Sequence, residues 1–151
     1  MNGEMRNKIY NYLLLETETP SETINELLSQ VDEEHGVTLE DVLLDKGIVT
    51  PAGMRKIKAI LTEAECYDVA NTEFDPKLLG LLTKEQAVKY CCLPLKIDDF
   101  SDNVLHVVIA DPNIDFSLET LDDLKLITGY DIQPYCGLKK DILDKIEELY
   151  Q

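Results

Sequence analysis

The sequence predicts an α+β protein in which a helical subdomain precedes a small α/β subdomain. Helix-capping signals dominate the first half of the chain, whereas runs of strand-forming apolar residues appear only in the second half. Between Asp68 and Pro76 the apolar periodicity stops and Asn, Thr, Asp and Pro accumulate, which is typical of a boundary. We therefore predict a helical subdomain over residues 1–70 and an α/β subdomain over residues 71–151.

The first half carries start or stop signals for four helices. Apolar residues recur at helical spacing over Met5–Leu15. Thr19 followed by proline is the pattern of an N-cap and a first helical residue, so a second helix should start there. Two further helices are predicted to start at Thr38 and at Thr50, with Gly47 ending the first of these two.

The second half alternates between helices and strands. Thr83 and Gln86 form a capping box for a helix that should end near Tyr90. Two strand-like runs separated by a polar turn should pair as a hairpin, and a helix that stops at Gly129 should lead into a third strand in parallel pairing. The predicted order is helix, strand, strand, helix, strand, helix around a mixed three-stranded sheet, with strands at Cys91–Ile97, Val104–Ile109 and Asp131–Cys136.

The chain is strongly acidic. Its 151 residues include 30 Asp and Glu against 14 Lys and Arg, which gives a formal charge of −16 at pH 7. This balance repels nucleic acids and anionic bilayers, so neither is predicted as a partner. No apolar run is long enough to span a bilayer, and the first charged residue is Glu4, where a signal peptide would be basic. We therefore expect a cytosolic protein.

Neither the acidic residues nor the cysteines predict a metal site. Acidic and polar residues between Asp111 and Asp122 follow the ligand spacing of an EF-hand loop, but Phe116 stands where the loop needs glycine and Pro112 occupies its second position. A turn that places acidic residues at a helix amino terminus explains the spacing better. The four cysteines contain no Cys-x-x-Cys, so we expect buried thiols and no disulfide.

Catalytic residues are equally hard to find. His35 lies in an acidic loop and should be solvated, whereas His106 alternates with Val104 and Val108 and should pack on a strand face. There is no Gly-x-x-x-x-Gly-Lys-Ser/Thr loop to bind nucleotide phosphates and no serine or cysteine motif with a base. We therefore predict a protein without enzymatic activity.

Four short segments of the last third share their order and spacing with one protein family. They are Leu93-Pro94-Leu95, Ala110 to Asn113, Leu121 to Leu124 and Thr128-Gly129. Through them the chain resembles the amino-terminal domain of the ATPases that drive bacterial type II secretion and type IV pilus assembly, and the resemblance extends from Leu39 to Tyr150. It implies a docking module without a cofactor. The implied partner is the cytoplasmic domain of an inner-membrane assembly protein, which would hold the chain in the cytoplasm beside that membrane.

The same resemblance implies an alternative role in binding cyclic di-GMP. The segment from Leu39 to Thr50 is similar to a repeat that binds this nucleotide in many relatives. Three positions depart from the repeat: Val37 or Thr38 replaces an arginine, Glu40 replaces a glycine and Leu61 replaces a glutamine. Loss of the cation and of the close-approach glycine disfavours a dianionic ligand, so the regulatory role is kept as the alternative.

A partner is expected to dock on the helical subdomain. The α/β half needs its apolar faces for its own small core, whereas short amphipathic helices can retain an exposed apolar strip. The strip would serve an assembly partner or a second copy of the chain. The predicted partner-binding residues are Ile24, Leu28, Leu43 and Met54.

Overall fold

The structure is a computed structural model that describes residues 3–110 and 117–150. It divides into two compact units, Met1–Leu61 and Thr62–Gln151. The division precedes the predicted boundary near Asn71, because the residues just before Asn71 belong to the second unit. The Tyr67 amide donates a hydrogen bond to the Cys136 carbonyl at 2.7 Å, and Val69 lies in the core of the second unit.

The first unit is helical, as predicted. Each of its four helices buries an apolar stripe, with Ile9 and Leu13 as the buried residues of the first. A short 3-10 turn, Glu33–His35, separates the second helix from the third. The helices are α1 (Gly3–Glu16), α2 (Ser21–Ser29), α3 (Leu39–Asp45) and α4 (Pro51–Thr62).

Three of the four predicted start or stop signals in this unit are confirmed. Thr50 caps α4, since its hydroxyl oxygen accepts from the Gly53 amide at 3.1 Å. Thr38 caps α3 through a reciprocal pair of hydrogen bonds with Asp41, and Gly47 ends that helix with a φ of +69°. The prediction for Thr19 is wrong by one residue. Pro20 is extended and takes the N-cap position of α2, so the Thr19 hydroxyl lies outside the helix and hydrogen-bonds the hydroxyl of Thr17 instead.

The second unit contains the predicted mixed sheet. Its strand order is β1-β2-β3, with β1 and β2 antiparallel and β2 and β3 parallel. Cys91 adopts a left-handed conformation at the end of α6, so β1 starts one residue later than predicted. The elements are α5 (Pro76–Leu79), α6 (Lys84–Tyr90), β1 (Cys92–Ile97), β2 (Val104–Ile109), α7 (Ser117–Thr128), β3 (Asp131–Cys136) and α8 (Lys139–Leu149).

The two faces of the sheet bury separate apolar clusters. Alternate residues of β2 point to opposite faces. Leu105, Val107 and Ile109 lie in one cluster with Leu124 of α7, whereas Val108 lies in the other with α8. The second unit is therefore a helix-sheet-helix sandwich in which the short sheet is covered on both faces.

Gly137 marks the tightest contact of this sandwich. A Cβ atom added there would lie 2.8 Å from the Val108 Cγ2, 2.9 Å from the Val69 Cγ2 and 3.3 Å from the Ile142 Cδ1. These three side chains come from β2, from a 3-10 turn at Val69–Asn71 and from α8. An alanine here would therefore require the Val108 and Val69 side chains to shift in a closely packed core.

We expect Gly137→Ala to lower the free energy of unfolding of the second unit by about 1–3 kcal/mol, the usual cost of overpacking a filled core. Urea denaturation followed by circular dichroism measures this change. Gly80→Ala is the matched control, because an added Cβ there meets no atom closer than 3.9 Å and its φ is −67°. Equal stability of the two variants would show that the contact at Gly137 can relax freely.

Candidate functional site

The four residues predicted to bind a partner are buried. Ile24 and Leu43 are 0% exposed, Met54 is 1% exposed and Leu28 is 3% exposed. The expectation of an exposed apolar strip is therefore wrong in this structure. A unit of about 60 residues has a high surface-to-volume ratio and needs the apolar stripe of every helix to form a core. Partner binding by these side chains stays a prediction.

Glu40, in the segment that resembles the nucleotide-binding repeat, forms a buried ion pair with Lys58 of α4. The Lys58 Nζ is 2.6 Å from the Glu40 Oε1, and the two side chains are only 7% and 10% exposed. Glu40 is the residue that stands at the repeat's glycine position. The carboxylate at this position is therefore paired with a cation in the protein interior.

The most exposed large apolar side chain in the described residues is Phe100, at 98%. Phe100 lies in the turn between β1 and β2, which spans residues 98–103. Asp98 organises this turn: its backbone amide donates to the Val104 carbonyl at 2.8 Å, and its Oδ2 accepts from the Phe100 amide at 3.1 Å. We call residues 98–103 the hairpin turn.

His106 holds the other oxygen of Asp98. The His106 Nε2 is 2.7 Å from the Asp98 Oδ1, and the histidine is 8% exposed. Because a carboxylate accepts, the Nε2 carries the proton. The Nδ1 is buried and meets no hydrogen-bonding partner in the described residues, which suits a lone pair better than an N–H. The hydrogen bond from His106 is the largest cause of a lowered Asp98 pKa.

The sequence predicted a packed His106 from its place on the strand, and the structure confirms that reading. It missed the bond to Asp98 and the contact with Tyr135, whose ring lies 5.1 Å from the imidazole. The pairing register of the hairpin could have indicated this bond, because Asp98 and His106 lie near opposite ends of the same short turn. His35 is exposed, with its Nδ1 2.6 Å from the Asp32 Oδ2.

Other chemical features of the second unit concern thiols. Cys66, Cys91, Cys92 and Cys136 form no disulfide, and burial raises the pKa of the Cys92 thiol to about 12.

No group of three or more His, Cys, Asp and Glu in residues 3–110 and 117–150 is placed to hold a metal ion. Residues 111–116, which contain half of the six positions of the EF-hand-like spacing, lie outside the described residues. Asp122, at the other end of that spacing, is exposed on α7.

In the part of the chain that the structure describes, no helix has the length and apolar content to cross a membrane.

The chain matches the model of the MshEN domain over residues 63–151, which is nearly the whole of the second unit. No curated protein matches the sequence.

Solved structures extend the likeness to the helical unit. A structure of MshE with cdg is 20% identical, with a TM-score of 0.68, and the match covers 93% of this chain and 98% of that one. The N-terminal domain of XpsE is 23% identical, with a TM-score of 0.62, and the match covers 100% of both chains. Another crystal form of the XpsE N-terminal domain is 22% identical, with a TM-score of 0.53, and the match covers 97% of this chain and 96% of that one. At these identities the likeness establishes a shared fold.

We expect the bond between His106 and Asp98 to make stability depend on pH. The Asp98 pKa is lower in the folded chain than the usual 3.8, so its contribution is present above about pH 3.8 and is lost as the pH falls through the lowered value. Asp98→Asn should therefore destabilise the second unit at neutral pH, with a difference from wild type that shrinks below about pH 3.8.

Urea denaturation at several pH values measures this difference. Asp102→Asn is the matched control, because Asp102 is an exposed aspartate of the same turn. A wild-type minus Asp98→Asn difference that stays constant down to pH 2 would contradict the assignment.

Proposed function

The chain belongs to the MshEN domain family, and from this membership we propose that it is a docking module of a type II secretion or type IV pilus assembly ATPase. The module would tether the ATPase to an inner-membrane assembly protein without taking part in catalysis. The observation that carries the proposal is the coincidence of the family match, residues 63–151, with a compact unit that begins at Thr62. A domain with its own two-sided core can present a surface independently of the motor that it serves.

The chemistry of the second unit supports a binding role over a catalytic one. Its buried histidine is the nearest thing to a general base, yet its Nε2 is committed to Asp98 and its Nδ1 is enclosed. A general base must reach the proton of a substrate within hydrogen-bonding distance. His106 therefore serves the structure of the hairpin turn.

The charge of the chain indicates the kind of partner. Residues 62–151 carry 19 Asp and Glu against eight Lys and Arg. An acidic module of this kind would meet a protein with a basic face, since complementary charge accelerates encounter and excludes wrong partners. We place the module in the cytoplasm, held near the inner membrane by the cytoplasmic domain of its partner.

We expect the chain to bind the purified cytoplasmic domain of the machine's inner-membrane assembly protein with a Kd in the micromolar range, about −8 kcal/mol. Biolayer interferometry measures the affinity and the association rate. The association rate should fall as salt is raised from about 50 mM to 500 mM, because screening removes the electrostatic attraction. Absence of binding at about 100 μM would overturn the docking role.

Cyclic di-GMP binding is the second candidate function. The observation in its favour is the likeness to MshE, which was solved with cdg. The observation against it is Glu40, which stands at the position of the repeat's glycine and is paired with Lys58 in the protein interior. Because Lys58 is held by Glu40 at 2.6 Å, this lysine would have to leave the carboxylate before it could bind a dianionic ligand.

Calorimetry with cyclic di-GMP at submillimolar concentration separates the two functions. We expect weak binding or none. A Kd near or below ~1 μM, about −8 kcal/mol, would overturn the docking preference and support the regulatory function. Such binding should then be tested in Glu40→Gly, which restores the glycine and should tighten a site that includes this position.

A further inference from the structure

The side chain of Phe100 is large and apolar, yet almost all of its surface is exposed to solvent. Its side chain is 98% exposed at the centre of the hairpin turn. Scattered apolar side chains are normal on protein surfaces, and exposure alone carries no function. The hairpin turn has two further features. Several hydrogen bonds order its backbone, and aspartates lie on both sides of Phe100 in the sequence.

The ordering of the turn begins at a buried residue. His106 on the central strand holds the Asp98 Oδ1 at 2.7 Å, and the Asp98 Oδ2 accepts from the Phe100 amide at 3.1 Å. The Val104 amide donates to the Ser101 carbonyl at 3.2 Å and closes the turn on its other side. The backbone at Phe100 is therefore anchored to the core through one carboxylate and one imidazole.

A second anchor ties the turn to the third strand. The Asp131 amide donates to the Asn103 carbonyl at 2.8 Å. With both ends fixed, an exposed aromatic side chain can enter a partner's pocket without the entropy cost of ordering a flexible loop. Aromatic residues are also the ones that supply most binding energy at the centres of interfaces, because one ring buries a large apolar area.

Charge in the turn specifies the partner's chemistry. Asp98, Asp99 and Asp102 lie within two residues of Phe100 in sequence. Asp99 pairs with Lys96, whose Nζ is 3.1 Å from the Asp99 Oδ2. Asp102 is exposed. A pocket that receives the ring would therefore need Lys or Arg at its edge to match this rim.

The geometry points to the hairpin turn as the docking element of the module, with Phe100 inserting into an apolar pocket bordered by Lys or Arg on the partner protein. This inference rests on the proposed docking function and gives it a location. It also gives His106 a role as a positioning residue, since the imidazole fixes the carboxylate that fixes the Phe100 amide.

The chain offers a matched control for Phe100. Leu126 on α7 is 84% exposed and belongs to the same unit. Phe100→Ala and Leu126→Ala each remove one large exposed apolar side chain. Neither side chain is in the core, so both variants should keep the wild-type circular dichroism and melting temperature.

Binding to the same purified cytoplasmic domain tests the inference. Phe100→Ala should raise the Kd by at least ~10-fold, equivalent to ~1.4 kcal/mol, whereas Leu126→Ala should stay within ~2-fold of wild type. Asp102→Lys should slow association several-fold at low salt, with the difference lost at about 500 mM salt.

Each outcome separates this inference from the docking function. If wild type binds and Phe100→Ala binds equally well, the hairpin turn is not the docking element although docking stands. Equal losses in Phe100→Ala and Leu126→Ala would indicate unspecific apolar contact and would also overturn the inference. Failure of wild type to bind would overturn both.

The positioning role of His106 has its own readout. His106→Leu removes the hydrogen bond to Asp98 and should weaken binding in the wild-type background. In the Phe100→Ala background it should have little further effect, because the side chain that it positions is gone. Additive losses in the double variant would assign His106 a general stabilising role instead.

Discussion

The second unit depends on the close approach of three elements at Gly137. Val69, Val108 and Ile142 meet above a backbone that carries no Cβ, and neighbouring Cys136 exchanges backbone hydrogen bonds with Glu65 and Tyr67. The stretch before Asn71 is thereby joined to the sheet. This contact explains why the compact unit begins at Thr62, several residues before the change in sequence character that predicted a boundary.

The buried pair of Glu40 and Lys58 places a different constraint on the first unit. An ion pair with side chains 7% and 10% exposed loses most of its hydration, so its net contribution to stability is small even at a separation of 2.6 Å. Removal of one partner would nevertheless leave a buried charge, which costs much more than the pair contributes. The pair therefore joins α3 to α4 within the first unit.

Local signals in the sequence predicted most of the fold. The capping residues Thr38 and Thr83 and the left-handed Gly129 act within one helical turn, so their effect can be read without knowledge of the fold. Strand pairing was predictable for the same reason, since a six-residue polar turn leaves a hairpin as the simplest arrangement. Pro94 and Pro134 agree with it, because each lies on an outer strand of the β1-β2-β3 sheet, where proline is tolerated.

The binding surface was not predictable by the same reasoning. Apolar periodicity identifies which face of a helix is hydrophobic, but not whether another element covers that face. Ile24 and Leu43 have the spacing of a surface stripe and are fully buried, whereas Phe100 belongs to no periodic pattern and is almost fully exposed. Exposure depends on the sum of tertiary contacts, which the sequence does not display locally.

The two hydrogen bonds that link His106 to Asp98 and Asp98 to Phe100 show how a buried polar residue can determine the conformation of an exposed turn. The imidazole donates from Nε2 to Asp98, and the buried Nδ1 meets no partner in the described residues, which is less costly for a lone pair than for an N–H. Replacement of His106 by an apolar residue would remove the buried Nδ1 and would also remove the hydrogen-bond donor of the Asp98 carboxylate. The free carboxylate would turn to water, and the Phe100 amide would lose its acceptor. The histidine therefore holds the conformation of the turn through Asp98, at the cost of one buried nitrogen without a partner in the described residues.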